Sequence, residues 1–473
     1  MLRITELRLP LDHPEDALRP AVLARLKLAP GELTSFTVFK RSFDARKKAA
    51  VLLTYTLDCL LAEGVDPAAV LARCAGDPQV RPSPDTAYHF VGRAPRDFYA
   101  QDRAPLRPVV IGFGPCGLFA ALVLAQMGLA PIVLERGRPV RERTRDTWGL
   151  WRQGLLDPES NVQFGEGGAG TFSDGKLWSQ ISDPRHLTRK VLHEFVKAGA
   201  PEEILYIAKP HIGTFRLVGV VEKMRAAIEE LGGQVRFAQR VTDLHIDGPT
   251  DARHVRGLTL ASGEEIAADH VVLALGHSAR DTFQMLHGRG VFMQAKPFSV
   301  GFRIEHPQSL IDRARLGPHA GHPVLGAADY KLVHHAGNGR SVYSFCMCPG
   351  GTVVAATSEP GRVVTNGMSQ YSRNERNANA GIVVGIQPQD YRQDGAVDGP
   401  VHPLDGIAFQ RIWESRAFEL GGGGYRAPAQ LVGDFIAGRP SREFGSVLPS
   451  YTPGVTLGDL AVPGQGSLPD DVL

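Results

Sequence analysis

Cysteine is scarce in this chain, which excludes a fold held together by disulfide bonds. Among 473 residues there are five cysteines, an odd number, and no two are spaced as Cys-x-x-Cys. They are Cys59, Cys74, Cys116, Cys346 and Cys348. Scattered cysteines of this kind are typical of a reducing compartment. Residues 1–10 also lack the apolar core of a secretory signal, so we expect a cytoplasmic protein.

An excess of either charge is also missing. Lys and Arg number 52 against 50 Asp and Glu, which leaves a formal net charge of +2. A chain this balanced has no overall electrostatic footprint for nucleic acid or anionic lipid, so we expect neither as a partner. There is no HExxH or GxSxG motif, and the His334-His335 pair has no third ligand in reach, so we expect no metal site.

Long apolar runs are rare, and the one that stands out, residues 109–134, predicts a buried βαβ unit. The run carries no charge and has the composition of a membrane span. Two internal prolines and clustered glycines interrupt it, however, and Glu135 follows directly. A β-run, a glycine loop, an apolar helix and a second β-run explain this pattern better than a membrane helix.

The glycine loop has the Gly-x-Gly-x-x-Gly spacing of a dinucleotide-binding fold. Gly112 permits the tight turn, Gly114 lets a pyrophosphate approach the backbone, and Gly117 lets the helix pack close to the strand. The helix that follows this loop offers free N–H groups and partial positive charge at its N-terminus to the pyrophosphate. Glu135, 18 residues after Gly117, is placed to accept hydrogen bonds from an adenosine ribose.

A second glycine cluster spans residues 161–177. Gly170 to Lys176 matches the GxxxxGK pattern of a phosphate-binding loop. Leu177, however, stands where that motif requires Ser or Thr, and no apolar strand leads into the loop. We therefore disfavour a nucleoside triphosphatase.

Residues 1–92 predict a separate small domain. Strands are expected at 3–11, 34–42, 49–60 and 88–91, with helices at 14–28 and 66–74. This βαββαβ order is typical of a ferredoxin-like plait. A Pro- and Arg-rich stretch at 93–107 is the predicted linker to the remainder of the chain.

The stretch from 108 to 284 resembles the FAD-binding part of proteins of the glutathione reductase type. A helix at 214–231, a strand at 234–241, a hairpin at 244–266 and a strand at 271–275 follow the order used there. No second GxGxxG follows a later strand, which argues against a dedicated NAD(P) domain. No Cys-x4-Cys follows the second glycine cluster, so a dithiol relay is not encoded.

Several longer phrases make the resemblance closer. They are NVQFGEGGAGTFSDGK at 161–176, KPHIGT at 209–214, GHSARD at 276–281, KPFSVGFRIEHPQ at 296–308, YSFCMCPGG at 343–351 and VTNGMS at 364–369. Together they resemble the bacterial family of uncharacterised FAD-dependent dehydrogenases. The resemblance extends from the N-terminal domain almost to the C-terminus.

The resemblance implies an α/β fold with FAD as cofactor. We expect a Rossmann-like FAD-binding fold with an inserted mixed α+β substrate domain and an N-terminal ferredoxin-like α+β domain. The expected boundaries are 1–92 for the N-terminal domain, 93–107 for the linker, 108–284 for the FAD-binding domain, 285–465 for the substrate and C-terminal domain, and 466–473 for a tail.

The implied cofactor contacts come from the two glycine clusters and the strand ends around them. They are Gly112, Gly114, Pro115, Gly117, Glu135, Arg136, Gly165, Gly167, Gly168, Thr171, Ser173, Asp174, Gly175, Lys176, Val241 and Gly276. The catalytic candidates are Lys176, His211 and His277, as a cation beside the flavin and as proton donors. A loop lysine exposed to solvent and structural histidines are the competing interpretations.

Two departures from the family pattern stand out. Cys116 occupies a position where alanine is usual. Family members also continue beyond the point matching Leu473 with a strand, an acidic glycine-rich turn and a helix that meet FAD. The resemblance therefore predicts that this chain lacks the family's C-terminal FAD-contacting segment.

The sequence predicts a flavin-dependent oxidoreductase that exchanges a hydride with a small-molecule substrate. NAD(P)H is a candidate hydride donor, and the oligomeric state stays open. Two alternatives remain at this stage. The first is a non-catalytic flavoprotein remnant that binds RNA or protein through its N-terminal plait, where Phe39, Arg41 and Phe43 alternate on one strand. The second is a flavin enzyme that modifies tRNA.

Overall fold

The structure, a computed structural model, describes residues 1–100, 104–179, 181–249, 251–395, 399–462 and 465–469. These residues form two compact units, each made of three stretches of chain. The small unit is Met1–His89, Lys176–Ile212 and Ser309–Ala328; the large unit is Phe90–Gly175, Gly213–Gln308 and Asp329–Leu473. The predicted linker at 93–107 and tail at 466–473 lie partly outside the described residues.

The described residues contain strands that we number in chain order. They are β1 Leu2–Pro10, β2 Leu33–Asp44, β3 Leu52–Leu61, β4 Val80–Pro82, β5 Val109–Ile111, β6 Ile132–Leu134, β7 Gln234–Arg236, β8 Val241–Asp247, β9 His254–Leu260, β10 Glu265–Ala267, β11 Val271–Leu273, β12 Phe298–Pro307, β13 Val333–His335, β14 Ser341–Cys348, β15 Gly351–Ala355, β16 Thr365–Ser369, β17 Asn377–Ile386, β18 Ala427–Ala429 and β19 Val455–Leu457.

The α-helices are numbered in the same way. They are α1 Leu18–Leu26, α2 Pro67–Arg73, α3 Pro115–Gln126, α4 Val140–Gln153, α5 Leu187–Lys197, α6 Thr214–Glu230, α7 Arg280–Gly288, α8 Gln308–Leu316, α9 Asp405–Leu420 and α10 Val432–Ile436. None of the helices in the described part of the chain combines the length and apolarity needed to cross a membrane.

The small unit contains an antiparallel sheet with strand order β2-β3-β1-β4. Its N-terminal stretch has the βαββαβ element order that the sequence predicts. Asp66 caps α2, because its carboxylate accepts hydrogen bonds from the backbone N–H of Ala68 and Ala69. The last strand lies at Val80–Pro82, so the prediction of a strand at 88–91 was wrong. Three residues are too few to show an alternating pattern, and pairing with β1 defines this strand.

The sheet of the small unit also receives residues from a later stretch of chain. The ring of Phe39 on β2 lies between two guanidinium groups, 3.7 Å from Cζ of Arg3 and 4.6 Å from Cζ of Arg189. Arg3 is buried and forms a bidentate pair with Asp58 at 2.7 Å. Phe39 therefore packs against a side chain of its own sheet and against one of α5.

The large unit is built around a parallel sheet with strand order β11-β5-β6-β7. Helix α3 connects β5 to β6, which confirms the βαβ unit predicted at 109–134. The strand predicted at 234–241 is shorter, since β7 ends at Arg236 and β8 begins at Val241. Gly213 is the N-cap of α6, and the Thr214 hydroxyl donates to the Ser173 carbonyl at 2.6 Å.

The large unit also contains antiparallel sheets and the parallel pair β18-β19. One has strand order β10-β9-β8 and another β12-β17-β14-β13, with the pair β15-β16 beside them. The large unit also includes the 16-residue helix α9. The predicted mixed α/β class is confirmed, and the arrangement of domains within it stays a prediction.

Candidate functional site

Two glycines of the first loop are required by the fold itself. Gly112 has φ +97°, and a Cβ there would stand 2.4 Å from the carbonyl oxygen of Ala274. A Cβ on Gly117 would stand 1.9 Å from the Gly112 carbonyl oxygen. Side chains at these positions would push α3 away from β5 and β11, so the loop closes only with glycine.

Gly114 is different, because its free space faces a cavity. It has φ −74°, which any residue adopts, and a Cβ there would meet no protein atom closer than the Cα of Gly168 at 3.6 Å. Protein packing therefore does not explain this glycine. Open space beside bare backbone at a helix N-terminus fits the approach of a pyrophosphate.

The cavity beside Gly114 has a volume of about 340 Å³. Residues that the sequence predicted as cofactor contacts line it: Gly112, Gly114, Pro115, Glu135, Arg136, Gly168, Val241 and Gly276. Pro115 is the first residue of α3, so the unpaired N–H groups of that helix lie at this wall. Exposed Cys116 also lines the cavity, next to Pro115.

Glu135 ends β6 and is buried, with both carboxylate oxygens occupied. Oε2 accepts the backbone N–H of Phe113 at 2.7 Å, and Oε1 accepts those of Gly137 and Gly165, each at 2.9 Å. Glu135 thus joins the first glycine loop to the second one. Glu135 is also among the residues that line the cavity, and its contact with a ribose stays a prediction.

Arg136 belongs to a cluster of four charges at the same wall. It is bidentate to Glu159 at 2.9 and 3.0 Å and to Asp281 at 2.9 and 3.2 Å, and its guanidinium stacks on Phe164. Arg240 also contacts Asp281, at 3.3 Å. Burial opposes ionisation of Asp281, but Arg136 and Arg240 together lower its pKa. The cluster stiffens the wall between the cavity and α7.

The second glycine cluster is held by Arg143, a residue that sequence reasoning did not single out. Arg143 is fully buried on α4 and donates to the carbonyls of Asn161, Val162 and Glu166, each at 2.7 Å. Burial lowers the pKa of Arg143 to about 10. A Cβ on Gly165 would meet the Arg143 side chain at 2.3 Å, so this glycine makes room for the cation.

Five predicted cofactor contacts further along this cluster interact with other protein groups and do not line the cavity: Gly167, Thr171, Ser173, Asp174 and Gly175. A Cβ on Gly167 would stand 2.1 Å from the hydroxyl of Thr171, which is buried. Asp174 is buried and paired with Arg373, with one contact at 2.9 Å. The Ser173 hydroxyl accepts the backbone N–H of Gly175 at 3.0 Å. These contacts make the loop a rigid support for the wall at Gly168.

His277 lies where two cavities meet. Together with Gln163 and Ser278 it lines both the 340 Å³ cavity and a neighbouring one of about 860 Å³. The surrounding protein desolvates His277, although its side chain is exposed to the cavities, and this lowers its pKa; the positive charge of Arg280 lowers it further. The imidazole is therefore neutral at pH 7, and it can accept a proton from a molecule in either cavity.

The other two catalytic candidates belong to the small unit. Lys176 and His211 pair there through an isolated antiparallel bridge, and the Leu177 N–H donates to the Pro210 carbonyl at 2.9 Å. Their catalytic roles, and the role of Lys176 in binding the cofactor, stay predictions. Within the described ranges of the chain, no group of three or more His, Cys, Asp or Glu residues could hold a metal ion.

The larger cavity adds residues that the sequence did not predict. Arg280, the first residue of α7, is buried and ties the GHSARD segment to α9 through Glu414. The resemblance to a known family marks that segment, but no local pattern shows that Arg280 is the residue facing inward. Gln163 is held by a hydrogen bond to the Ala356 carbonyl at 2.9 Å.

The sequence is similar to that of a known protein along its whole length. Over 474 aligned residues it is 42% identical to an uncharacterized protein of Clostridium beijerinckii, and the match covers 100% of this chain and 84% of that protein. Residues 297–470 match the family described as FAD-dependent protein, C-terminal domain-like, and residues 1–60 match a domain of unknown function. The predicted lack of a C-terminal FAD segment is not confirmed, because that C-terminal domain is present.

Solved structures resemble the chain only in part. A 3-ketosteroid-delta4-(5alpha)-dehydrogenase from Rhodococcus jostii RHA1 is 14% identical, covering 54% of this chain and 68% of that chain with a TM-score of 0.29. A variant of the halogenase PltM in complex with FAD is 12% identical, covering 65% and 55% with a TM-score of 0.30. At these scores the likenesses carry no argument about this chain.

Proposed function

Since this chain belongs to the same family as the Clostridium beijerinckii protein and carries the C-terminal domain of FAD-dependent proteins, its cofactor is FAD, and we propose that it is a flavin-dependent oxidoreductase. When bound, FAD supplies the transfer of a hydride or of single electrons. The observation that carries the proposal is the open backbone at Gly114, beside a helix N-terminus and a cavity that shares three lining residues with a larger one.

We assign the following cofactor-binding roles to residues of this chain. Gly114 and the N-terminus of α3 would receive the pyrophosphate, because bare N–H groups and the helix dipole favour an anion. Glu135 and Arg136 would contact the adenosine, as would Val241, the first residue of β8. The loop held by Arg143 would keep Gly168 at the wall nearest to Gly114.

His277 would handle the proton that accompanies hydride transfer. It lines the cavity assigned to the cofactor and also the one that would hold substrate. A neutral imidazole accepts a proton from a substrate hydroxyl or amine as the hydride leaves, and its lowered pKa keeps it neutral at pH 7. The substrate is a small molecule, and NAD(P)H remains the candidate hydride donor where the flavin must first be reduced.

The visible absorption spectrum of the purified chain tests FAD binding, before and after FAD is added and the sample desalted. We expect flavin bands to remain after desalting. Gly114→Ala should weaken FAD binding about tenfold or more, because the methyl group occupies the space through which a pyrophosphate reaches the backbone. The fold should be unaffected, since the nearest protein atom would be 3.6 Å away.

Gly219→Ala is the matched control, because Gly219 on α6 also has no neighbour within 4 Å but does not line the cavity. It should leave FAD content unchanged. Equal FAD binding by both variants would remove Gly114 from the site. Anaerobic bleaching of the bound flavin by NADH or NADPH then tests the oxidoreductase activity. A chain whose flavin no donor can reduce and no acceptor can oxidise would be a non-catalytic flavoprotein.

A further inference from the structure

The larger cavity has the size of a ligand site and mostly apolar walls. Its volume of about 860 Å³ lies in the upper part of the range of 300–1,000 Å³ found for pockets that enclose drug-sized molecules. Phe298 and Phe302 on β12, Phe409 and Trp413 on α9 and Phe435 on α10 are among its lining residues. Aromatic side chains therefore come from three different elements.

Five charged residues line this cavity, and each has partners within the protein. Arg280 contacts Glu414 at 2.6 and 2.9 Å and Glu359 at 2.9 Å, so three of the five are ion-paired with one another. Glu305 accepts the backbone N–H of Ser450 at 3.0 Å. Arg303 donates to the side chain of Asn379. A charged ligand would have to displace one of these contacts.

Among the residues that the structure describes, part of the apolar wall is exposed. Ile436 is 79% exposed, Phe444 50% and Val432 48%, and all three line the cavity. Water in contact with so much apolar surface is unfavourable, and a ligand that covers it gains about 25 cal/mol per Å² of apolar area buried. These residues therefore favour an occupant with a large apolar body.

We propose that this cavity binds the substrate, and that the substrate is an uncharged, mostly apolar molecule of drug size. The inference rests on the proposed function, since the cavity shares Gln163, His277 and Ser278 with the one assigned to the cofactor. The apolar body lies among Phe302, Phe435 and their neighbours. Its reacting group points toward His277, the only one of the three shared residues with a titratable side chain.

Binding of the uncharged polycyclic dye Nile red to the full chain tests the proposal, with its fluorescence as the readout. We expect one dye molecule per chain. Phe302→Asp should weaken binding about tenfold or more, because the dye would then cover a carboxylate that has no partner. Ala417→Trp fills the same cavity without adding charge and should weaken binding to a similar degree.

Phe292→Asp is the matched control, because Phe292 is 81% exposed and does not line the cavity. It should change the dissociation constant by less than about twofold. Circular dichroism of each variant separates loss of binding from loss of fold, and Ala417→Trp keeps the test valid where Phe302→Asp unfolds. Unchanged dye binding in both folded cavity variants would overturn the proposal.

Two further results discriminate between the alternatives. Tighter binding of the anionic dye anilinonaphthalene sulfonate than of Nile red, lost in Arg303→Met, would show a site for anions and contradict an uncharged substrate. Measuring FAD content in the same samples separates the two proposals. A chain that binds Nile red in the cavity but never retains FAD defeats the proposed function, and one that retains FAD but binds no dye defeats only this inference.

Discussion

At the scale of single residues, a buried cation fixes the loop on which the cofactor site depends. Arg143 is fully buried, yet it donates to three backbone carbonyls of the stretch 161–166 and lies near the carboxylates of Glu135 and Glu166. Removing one partner from such an arrangement leaves the others buried and unsatisfied, and each unpaired carbonyl costs about 1–3 kcal/mol.

Arg143→Met should therefore lower the free energy of unfolding by about 3–5 kcal/mol and reduce FAD retention. Met fills much of the same volume but cannot donate a hydrogen bond. Urea unfolding followed by circular dichroism measures the loss of stability. Arg141→Met on the same helix is the control, because Arg141 is exposed and its pair with Glu222 is worth less than about 1 kcal/mol. Equal effects of the two substitutions would show that the buried Arg143 contacts contribute no more to the free energy of unfolding than the exposed pair of Arg141.

The sequence predicted Glu135 as a site residue but not Arg143, and the difference has a physical cause. Glu135 stands at a fixed distance along a known βαβ pattern, so its place follows from the motif. Arg143 is one of several arginines between 138 and 145. Its position on the helix face shared with Val140, Thr147 and Leu150 is the one signal that it points inward.

The pKa of His277 offers a second test at this scale. Desolvation by the surrounding protein and the positive charge of Arg280 hold it below the ordinary value of 6.5, so the imidazole stays neutral as the pH falls through that value and is protonated only at a lower pH. Arg280→Gln removes the positive charge and leaves the negative charge of Glu414, so the pKa of His277 should rise. NMR of histidine-labelled protein measures both values, with His277→Gln to assign the signal. A pKa at or above 6.5 in the unaltered chain would contradict the environment described here.

At the scale of elements, the three glycines of the first glycine loop have different structural roles. Gly112 and Gly117 allow β5, β11 and α3 to pack, whereas Gly114 leaves room for a ligand. The motif predicts all three positions, but the sequence alone does not distinguish protein packing from ligand approach at each one. That distinction requires the position of the facing strand, because Ala274, which limits Gly112, lies more than 150 residues later.

Gly117→Ala should destabilise the chain by about 3 kcal/mol, because its Cβ would overlap the Gly112 carbonyl and force α3 away from β5. Gly219→Ala provides a control in which alanine should raise the stability of the chain. Gly219 lies inside α6 with free space around it, so alanine should stabilise the helix by about 0.5–1 kcal/mol. Thermal melting of both variants measures the pair. A stable Gly117→Ala variant would mean that the close packing of α3 on β5 is not required.

Strand β4 shows why short elements escape prediction. Val80–Pro82 has three residues and no alternating pattern, and it becomes a strand because Leu2 and Ile4 of β1 pair with it across the sheet. The residues at 88–91 have strand-like composition but do not form a strand. Pairing between distant stretches therefore outweighs local propensity here.

At the scale of the whole molecule, the small unit is assembled from parts that lie far apart in sequence. Its core includes Leu316, Leu325 and Ala328 together with residues of the first 80 positions. The stretch Lys176–Ile212 adds α5, whose Arg189 covers Phe39. Hydrophobic patterning identifies strands and helices locally, but it carries no information about which later segment completes a core.

An isolated fragment of residues 1–92 should therefore fail to fold cooperatively, although the sequence suggests an independent domain with those bounds. Without 309–328 the core loses three buried side chains, and without α5 the ring of Phe39 and the ion pair of Arg3 with Asp58 are exposed to water. Far-UV circular dichroism during heating measures this, with the full chain as the control. We expect a broad, shallow transition for the fragment and a sharp one for the full chain. A sharp transition in the fragment would instead show that residues 1–92 are an autonomous domain, which folds without the later segments.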